Sequence, residues 1–245
     1  MKRLSILIPT CRTNHLVENV IKSFEKYKPE DLEITYVVVE NSNETSYQTT
    51  AEGLAKNVKW IQNPTNTTGS YANAVALETG KKFITDEYTF LCHADICITS
   101  QAFFTSMFEK IKDGNSMVGV DIDVIRIKAV RQCGILIETE ILKKVDTSPK
   151  MPTYDVGDPL TTYCRDNNLK FHVFANTATN RSLVENLNEP FKSWGPDCGV
   201  DRCINDEGEV IFIHLGRGDL KSKGGYHNRI KKTIKDWAEI TKDFK

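Results

Sequence analysis

The chain has 245 residues, 40% of them hydrophobic, enough for one large α/β domain with a substantial core. Its 32 Lys and Arg against 33 Asp and Glu give no overall charge that would mark a nucleic-acid or membrane-surface protein, and no run approaches the about 18 apolar residues of a transmembrane helix. Seven cysteines, an odd number without a C-x-x-C pair or zinc-ligand spacing, predict reduced, mostly buried thiols in a cytosolic protein. The apolar stretch after Arg3 stops at Pro9, too short for a signal peptide, so a soluble, unsecreted chain is expected. The sequons at Asn43, Asn66 and Asn180 and the RGD beginning at Arg217 are then read as chance.

In chain order, residues 4–9 form a short aliphatic run ended by proline, which predicts a buried parallel strand. Leu16, Val17, Val20, Ile21, Phe24 and Tyr27 follow at helical spacing, with Pro29 just beyond. Residues 34–39 predict a second buried strand that ends in an acid, Glu40, and residues 58–61 a third. A polar loop over 63–69 leads into a helix over 70–83, and residues 88–92 predict the next strand. That order implies one mixed, mostly parallel sheet flanked by helices, with ligands at the carboxyl ends of the strands. In FLCHADICIT, Asp95 lies between two apolar runs near that edge, and a carboxylate stripped of water there requires a partner.

The second half is less regular. Periodicity predicts a helix over 102–111, strands over 117–120, 124–127 and 133–137, a helix over 159–167, and strands over 170–174 and 209–215. Residues 226–244 read as an amphipathic helix with Ile230, Ile234, Trp237 and Ile240 on one side. From residue 221 to the end there are eight Lys or Arg and three Asp or Glu, so the tail is basic and the body acidic.

The blocks SILIPTCR, VVVENSNET, NTTGSYANAVALETG and FLCHADICIT, in this order, resemble the nucleotide-sugar-binding half of family 2 glycosyltransferases with the GT-A fold. The resemblance covers residues 4–110 and weakens beyond, where such enzymes bind diverse acceptors. It implies a single domain whose residues 1–110 bind the donor and whose residues 111–220 carry the acceptor and catalytic half, followed by the basic tail at 221–245. Pro9, Thr10, Cys11 and Arg12 would then lie beside the nucleotide, and Glu40 would accept a hydrogen bond from a base N–H or a ribose hydroxyl. Gly69 and Asn73 resemble the family's glycine and asparagine at the loop-to-helix transition, where a Cβ would intrude on the nucleotide.

His93-Ala94-Asp95 falls where the family carries its Asp-x-Asp-like motif, which makes Asp95 a ligand for Mn2+ or Mg2+ on the donor diphosphate. His93 replaces the commoner acid and is expected on ribose or phosphate. VIFIHLGRG resembles a late strand whose histidine completes the metal site, so His214 is the expected partner of Asp95, with Arg217 or Lys221 on the phosphates. The segment YDVGDPLTTYCRDN resembles the acidic stretch that supplies the catalytic base, with Asp158 the better match by position and Asp155 the alternative. The implied reaction is an inverting transfer from a nucleotide sugar, a UDP-sugar above others, to a hydroxyl of a glycan, a lipid-linked or another acceptor.

Plainer roles compete at each position. Asp158 before Pro159 is also a good helix N-terminus, and His214 is as easily a core histidine as a ligand. His15, His172 and His227 read as structural or exposed. Two other functions remain open: a domain that holds nucleotide sugar without transfer, and a nucleotidyltransferase, although PTCRTN lacks the glycine-rich loop of the latter. The basic tail reads as a solvated helix face, with weak contact to an anionic inner membrane surface as the alternative; nucleic acid is disfavoured by the acidic body.

Overall fold

The computed structural model describes residues 2–46, 48–123, 127–196, 198–216 and 234–245. Strand β1 (Lys2–Thr10) pairs in parallel with β2 (Leu32–Glu40) in continuous register, so Thr10 and Glu40 leave the sheet side by side. β3 (Val58–Gln62) lies outside β2, and β4 (Tyr88–Cys92) lies on the other flank of β1; both pairings are parallel. The remaining strands are β5 (Ile96–Ile98), β6 (Met117–Ile122), β7 (Val130–Glu138), β8 (Phe171–Asn176), β9 (Asp201–Ile204) and β10 (Val210–His214). All ten form one sheet in the order β3-β2-β1-β4-β7-β6-β8-β9-β10-β5. Beyond β4 only β6 and β8 pair in parallel; the other neighbours are antiparallel.

Side chains alternate across the sheet, and each face has its own core. Helix α1 (Asn14–Tyr27) buries Leu16, Val17, Val20, Ile21 and Phe24 with Leu4, Ile6 and Ile8 of β1. α2 (Gln48–Leu54) is a short helix before β3 that sequence periodicity does not reveal, because it buries only Ala51. On the opposite face α3 (Gly69–Gly80) packs Ala76 and Leu77 with Leu7, Val37 and Val39. Small residues on α3 let it lie close to the sheet: a Cβ on Gly80 would stand 2.3 Å from Leu7 Cδ1.

α4 (Ala102–Lys112) brings Phe103 and Phe104 onto the α1 face, where Phe103 meets Phe90 edge-on at 5.0 Å between centroids. α5 (Thr139–Lys144), which periodicity also leaves unmarked, follows β7, and α6 (Asp158–Asp166) precedes β8. The C-terminal helix spans Ile234–Thr241 and buries Trp237 fully. The part of the predicted tail helix before residue 234, and residues 124–126 of the strand predicted over 124–127, lie outside the described residues. All seven cysteines are free, six of them buried. No helix among the described residues is long and apolar enough to cross a membrane.

FLCHADICIT holds the end of the strand expected at 88–92 and a second, short strand after Asp95. β4 stops at Cys92, residues 93–95 turn, and β5 departs to pair with β10 at the far edge of the sheet. This path carries Asp95 out of a strand and into a turn that faces the end of β10.

Candidate active site

The ends of β4 and β10 converge on the residue pair read as a metal site. Ile96 is opposite His214 in the β5–β10 register, and the Leu215 N–H donates to the Asp95 carbonyl at 2.9 Å. With the backbone pinned in this way, His214 Nε2 stands 3.3 Å from Asp95 Oδ1. His93 Nδ1 lies 3.4 Å from His214 Nε2 and 4.0 Å from Asp95 Oδ1. Asp95 is 4% exposed and His214 9%, whereas the His93 side chain is 34% exposed and borders solvent.

These three donor atoms lie within 4.8 Å of one another. An ion bound at about 2.1 Å by ligands at right angles holds its donors about 3 Å apart, so the cluster needs only small side-chain movements to take one. Two imidazoles and one carboxylate on one side of an ion leave its other positions open, a donor set suited to Mn2+ and neighbouring transition metals. By donor type and spacing, the residues fit a divalent cation.

Asp201, at the start of β9, is in register with His214, and its Oδ2 is 3.4 Å from His214 Nδ1. Sequence reasoning did not find Asp201, since a charge at the start of a short strand is a common sight. Burial opposes a charge on His214, but Asp95 foremost, with Cys133 and Asp201, holds its pKa well above the usual imidazole value. Burial and then the charge of His214 draw His93 below the usual value, against the pull of Asp95, Gln132 and Asp155.

The expected nucleotide-side residues cluster at the ends of β1 and β2. Glu40 is fully buried; its carboxylate accepts from the Ser42 N–H at 2.7 Å and lies 3.3 Å from the Arg12 N–H through both oxygens. Arg12 adopts φ +58 there, a left-handed conformation that these donors help to hold, and its side chain is exposed. Thr10 Oγ1 and Thr13 Oγ1 share a 2.8 Å hydrogen bond. The carboxylate thus shapes the Pro9–Arg12 loop, a local role that sequence reading did not foresee.

Gly69 opens α3 at φ +58, and a Cβ added to it would have no protein atom within 4 Å, so backbone conformation, and no crowding by the protein itself, calls for glycine. One turn on, Asn73 Nδ2 donates to Gln132 Oε1 at 2.7 Å. Gln132, on β7 and 5% exposed, therefore ties the start of α3 to the sheet.

Asp155 and Asp158 are placed differently. Asp158, 3% exposed, starts α6 and its Oδ2 accepts from the Asp155 N–H at 2.8 Å, a carboxylate bound to the loop it closes. Asp155 is half-buried, its Oδ1 accepts from the Val156 N–H, and its charge acts on His93. Arg217 and Lys221 lie outside the described residues.

A sheet of this topology, with these groups at its strand ends, is a GT-A fold. Its structural likenesses include the mannosyltransferase PcManGT from Pyrobaculum calidifontis with GDP-Man and Mn2+ (TM-score 0.54, 14% identity, 71% of this chain and 56% of that one). S. aureus TarS is similar at TM-score 0.51 and 19% identity over 71% of this chain and 58% of that one. Glucosyl-3-phosphoglycerate synthase from Mycobacterium tuberculosis, with Mg2+ and UDP, is similar at TM-score 0.52 and 11% identity over 71% of this chain and 70% of that one. The chain thus spans little more than half the length of the first two. Comparison with curated proteins returned no match. The Glycosyl transferase family 2 model matches residues 5–187, three quarters of the sequence, and the chain belongs to that family.

Proposed function

We propose that this chain transfers a sugar from a nucleoside-diphosphate donor, a UDP-sugar, to an acceptor hydroxyl with inversion, and that His93, Asp95 and His214 hold the divalent cation the reaction uses. The observation that carries the reading is the convergence of those three donor atoms at the strand ends, beside the Glu40-braced loop. His93 is assigned to the cation in preference to ribose or phosphate because its Nδ1 points at the other two donors. Held by His93, Asp95 and His214, an Mn2+ or Mg2+ ion would offset the charge that develops on the leaving nucleoside diphosphate.

The chain's own residues supply the rest. The Pro9–Arg12 loop, held by Glu40, and the start of α3 at Gly69 flank the space for base and ribose. Asp155 is the proposed base, taking the proton from the attacking hydroxyl, because it is the less buried of the two acids and its charge reaches the cluster, whereas Asp158 is 3% exposed. Residues 1–110 would bind the donor and residues 111–220 the acceptor, with the particular acceptor left to experiment.

The test is a thermal-shift panel of UDP, GDP, TDP and CMP sugars with and without Mn2+, run on the wild type and Asp95→Asn, alongside donor turnover. A bound ligand raises the melting temperature of the native state. Mn2+-dependent stabilisation and turnover in the wild type, both lost in Asp95→Asn, are expected. Turnover unaffected by the substitution would sink the metal assignment, and no shift with any nucleotide sugar would remove the donor reading.

A further inference from the structure

The second half of the chain brings polar residues to one edge of the sheet. β6 ends at Ile122 opposite the start of β7 at Val130, β8 ends at Asn176, β9 begins at Asp201 and β10 ends at His214, all at the edge where β4 ends. Asp201 and His214 belong to the candidate metal centre. Asp121 and Arg131, near the end of β6 and the start of β7, are not among its ligands and need another account.

Asp121 is held in an unusual conformation. Its φ of +57 is left-handed, uncommon outside glycine, and the β6–β7 register shifts on both sides of Val120. Irregularities of this kind re-aim a side chain. The buried carboxylate accepts through Oδ1 from the Ile122 N–H at 2.9 Å and from the Thr179 hydroxyl in the turn after β8. Over its other oxygen stands Arg131, with Nε 2.8 Å from Oδ2. The contact is an ion pair without an aligned hydrogen bond, and the guanidinium makes no other contact of either kind with the described residues. The arginine side chain is 45% exposed.

A guanidinium fixed by charge, open to solvent and with its N–H donors uncommitted is a receptor for an oxyanion, because its planar fork meets a carboxylate or phosphate through two parallel hydrogen bonds. A pair that served packing alone would spend those donors inside the protein. In the sheet, the strand of Asp121 lies three places from that of His214, roughly 14 Å away. The donor phosphates belong at the cation and the transferred sugar beside it, so an anion held by Arg131 is carried by the acceptor.

We propose that Arg131, set in place by Asp121, binds an oxyanion on the acceptor, a phosphate or a carboxylate, so that this chain selects a phosphorylated or acidic saccharide or polyol. The inference rests on the glycosyltransferase reading given above.

The probes are glucose 6-phosphate for a phosphate, glucuronate for a carboxylate and glucose as the neutral control. Each is titrated into the full chain with UDP and diamagnetic Mg2+ present, so that the donor site is filled, and followed by 1H–15N spectra. A charged probe should bind about 10-fold or more tightly than glucose and should shift the Arg131 Nε–H resonance, which is identified by its loss in Arg131→Lys. Whichever charged probe binds better identifies the oxyanion. The preference should disappear in the double variant Arg131→Leu with Asp121→Asn, in which the asparagine can still accept from Thr179 and Ile122 and no charge is left buried. Arg131→Lys, which keeps the charge but not the fork, should lose most of it.

No preference over glucose in the wild type, no shift of the Arg131 resonance, or a preference that survives in either variant would overturn the proposal. So would UDP binding that falls with the substitution, which would put the arginine on the donor. The wild-type comparison needs no substitution, so a misfolded variant does not spare it. Charged probes that still move Arg131 in a wild type that binds no UDP would remove the donor reading and leave the anion site. UDP binding without a charged preference would do the reverse.

Discussion

His214 Nε2 stands 3.3 Å from Asp95 Oδ1, a contact that joins the last strand of the sheet to the turn after β4. Both groups are nearly buried, and each is the other's counter-charge. Removing the imidazole would leave a buried carboxylate without it, so His214→Ala should cost about 3–5 kcal/mol in urea unfolding of the metal-free protein. It should also abolish Mn2+-dependent stabilisation by UDP. Unchanged stability together with retained Mn2+ binding would contradict the pairing.

Glu40 should matter to stability before any ligand is present. Its carboxylate satisfies the Ser42 N–H and caps the Arg12 N–H in a fully buried position. Glu40→Ala leaves those donors without it, and the expected loss is about 1.5–3 kcal/mol, seen as a lower urea midpoint with an unchanged slope. A variant as stable as the wild type would show that the loop does not depend on the acid.

Gly80→Ala tests how tightly α3 sits on the sheet. The new methyl would meet Leu7 Cδ1 at 2.3 Å and Val39 Cγ2 at 3.1 Å, and Leu7 is fully buried. Overpacking of this kind costs about 1–3 kcal/mol, and Leu7→Val in the same chain should recover part of it. Additive losses in the double variant would place the strain elsewhere.

Glu78 provides a pH signature away from the candidate site. Burial raises its pKa, but Lys81 and the Thr147 hydroxyl and N–H more than offset this, and the net shift is downward from about 4.5. A carboxylate depressed in the folded state contributes stability above its unfolded pKa and loses it as pH falls through the folded value. The side chain is 39% exposed, so screening keeps the effect to about 1 kcal/mol or less. Wild type should exceed Glu78→Gln in stability at neutral pH, and the gap should close on acidification below about pH 4. A gap that stays constant with pH would rule out the ionised carboxylate as its source.

The first half of the fold was legible because its signals are local. Strands such as LSILI and ITYVVV are buried on both faces and read as unbroken apolar runs, and the helices α1, α3 and α4 each show a 3.6-residue stripe or a cluster of small residues. Elements that bury little, such as α2 with Ala51 alone, or that are short, such as β5 and β9, leave no comparable pattern.

Residue order alone determined the α/β class, the acids Glu40 and Asp95 near one sheet edge, and the family resemblance, because each depends on periodicity or on a contiguous motif. Only the tertiary structure decided which groups meet. The β5–β10 pairing brings His214 against Asp95, β9 adds Asp201, and β7 sets Gln132 against Asn73. It also bound the Asp155 N–H to the Asp158 carboxylate and showed Glu40 engaged by its own loop. The physical reason is that a hydrogen-bond partner is chosen by strand register and burial, and both are properties of the whole sheet.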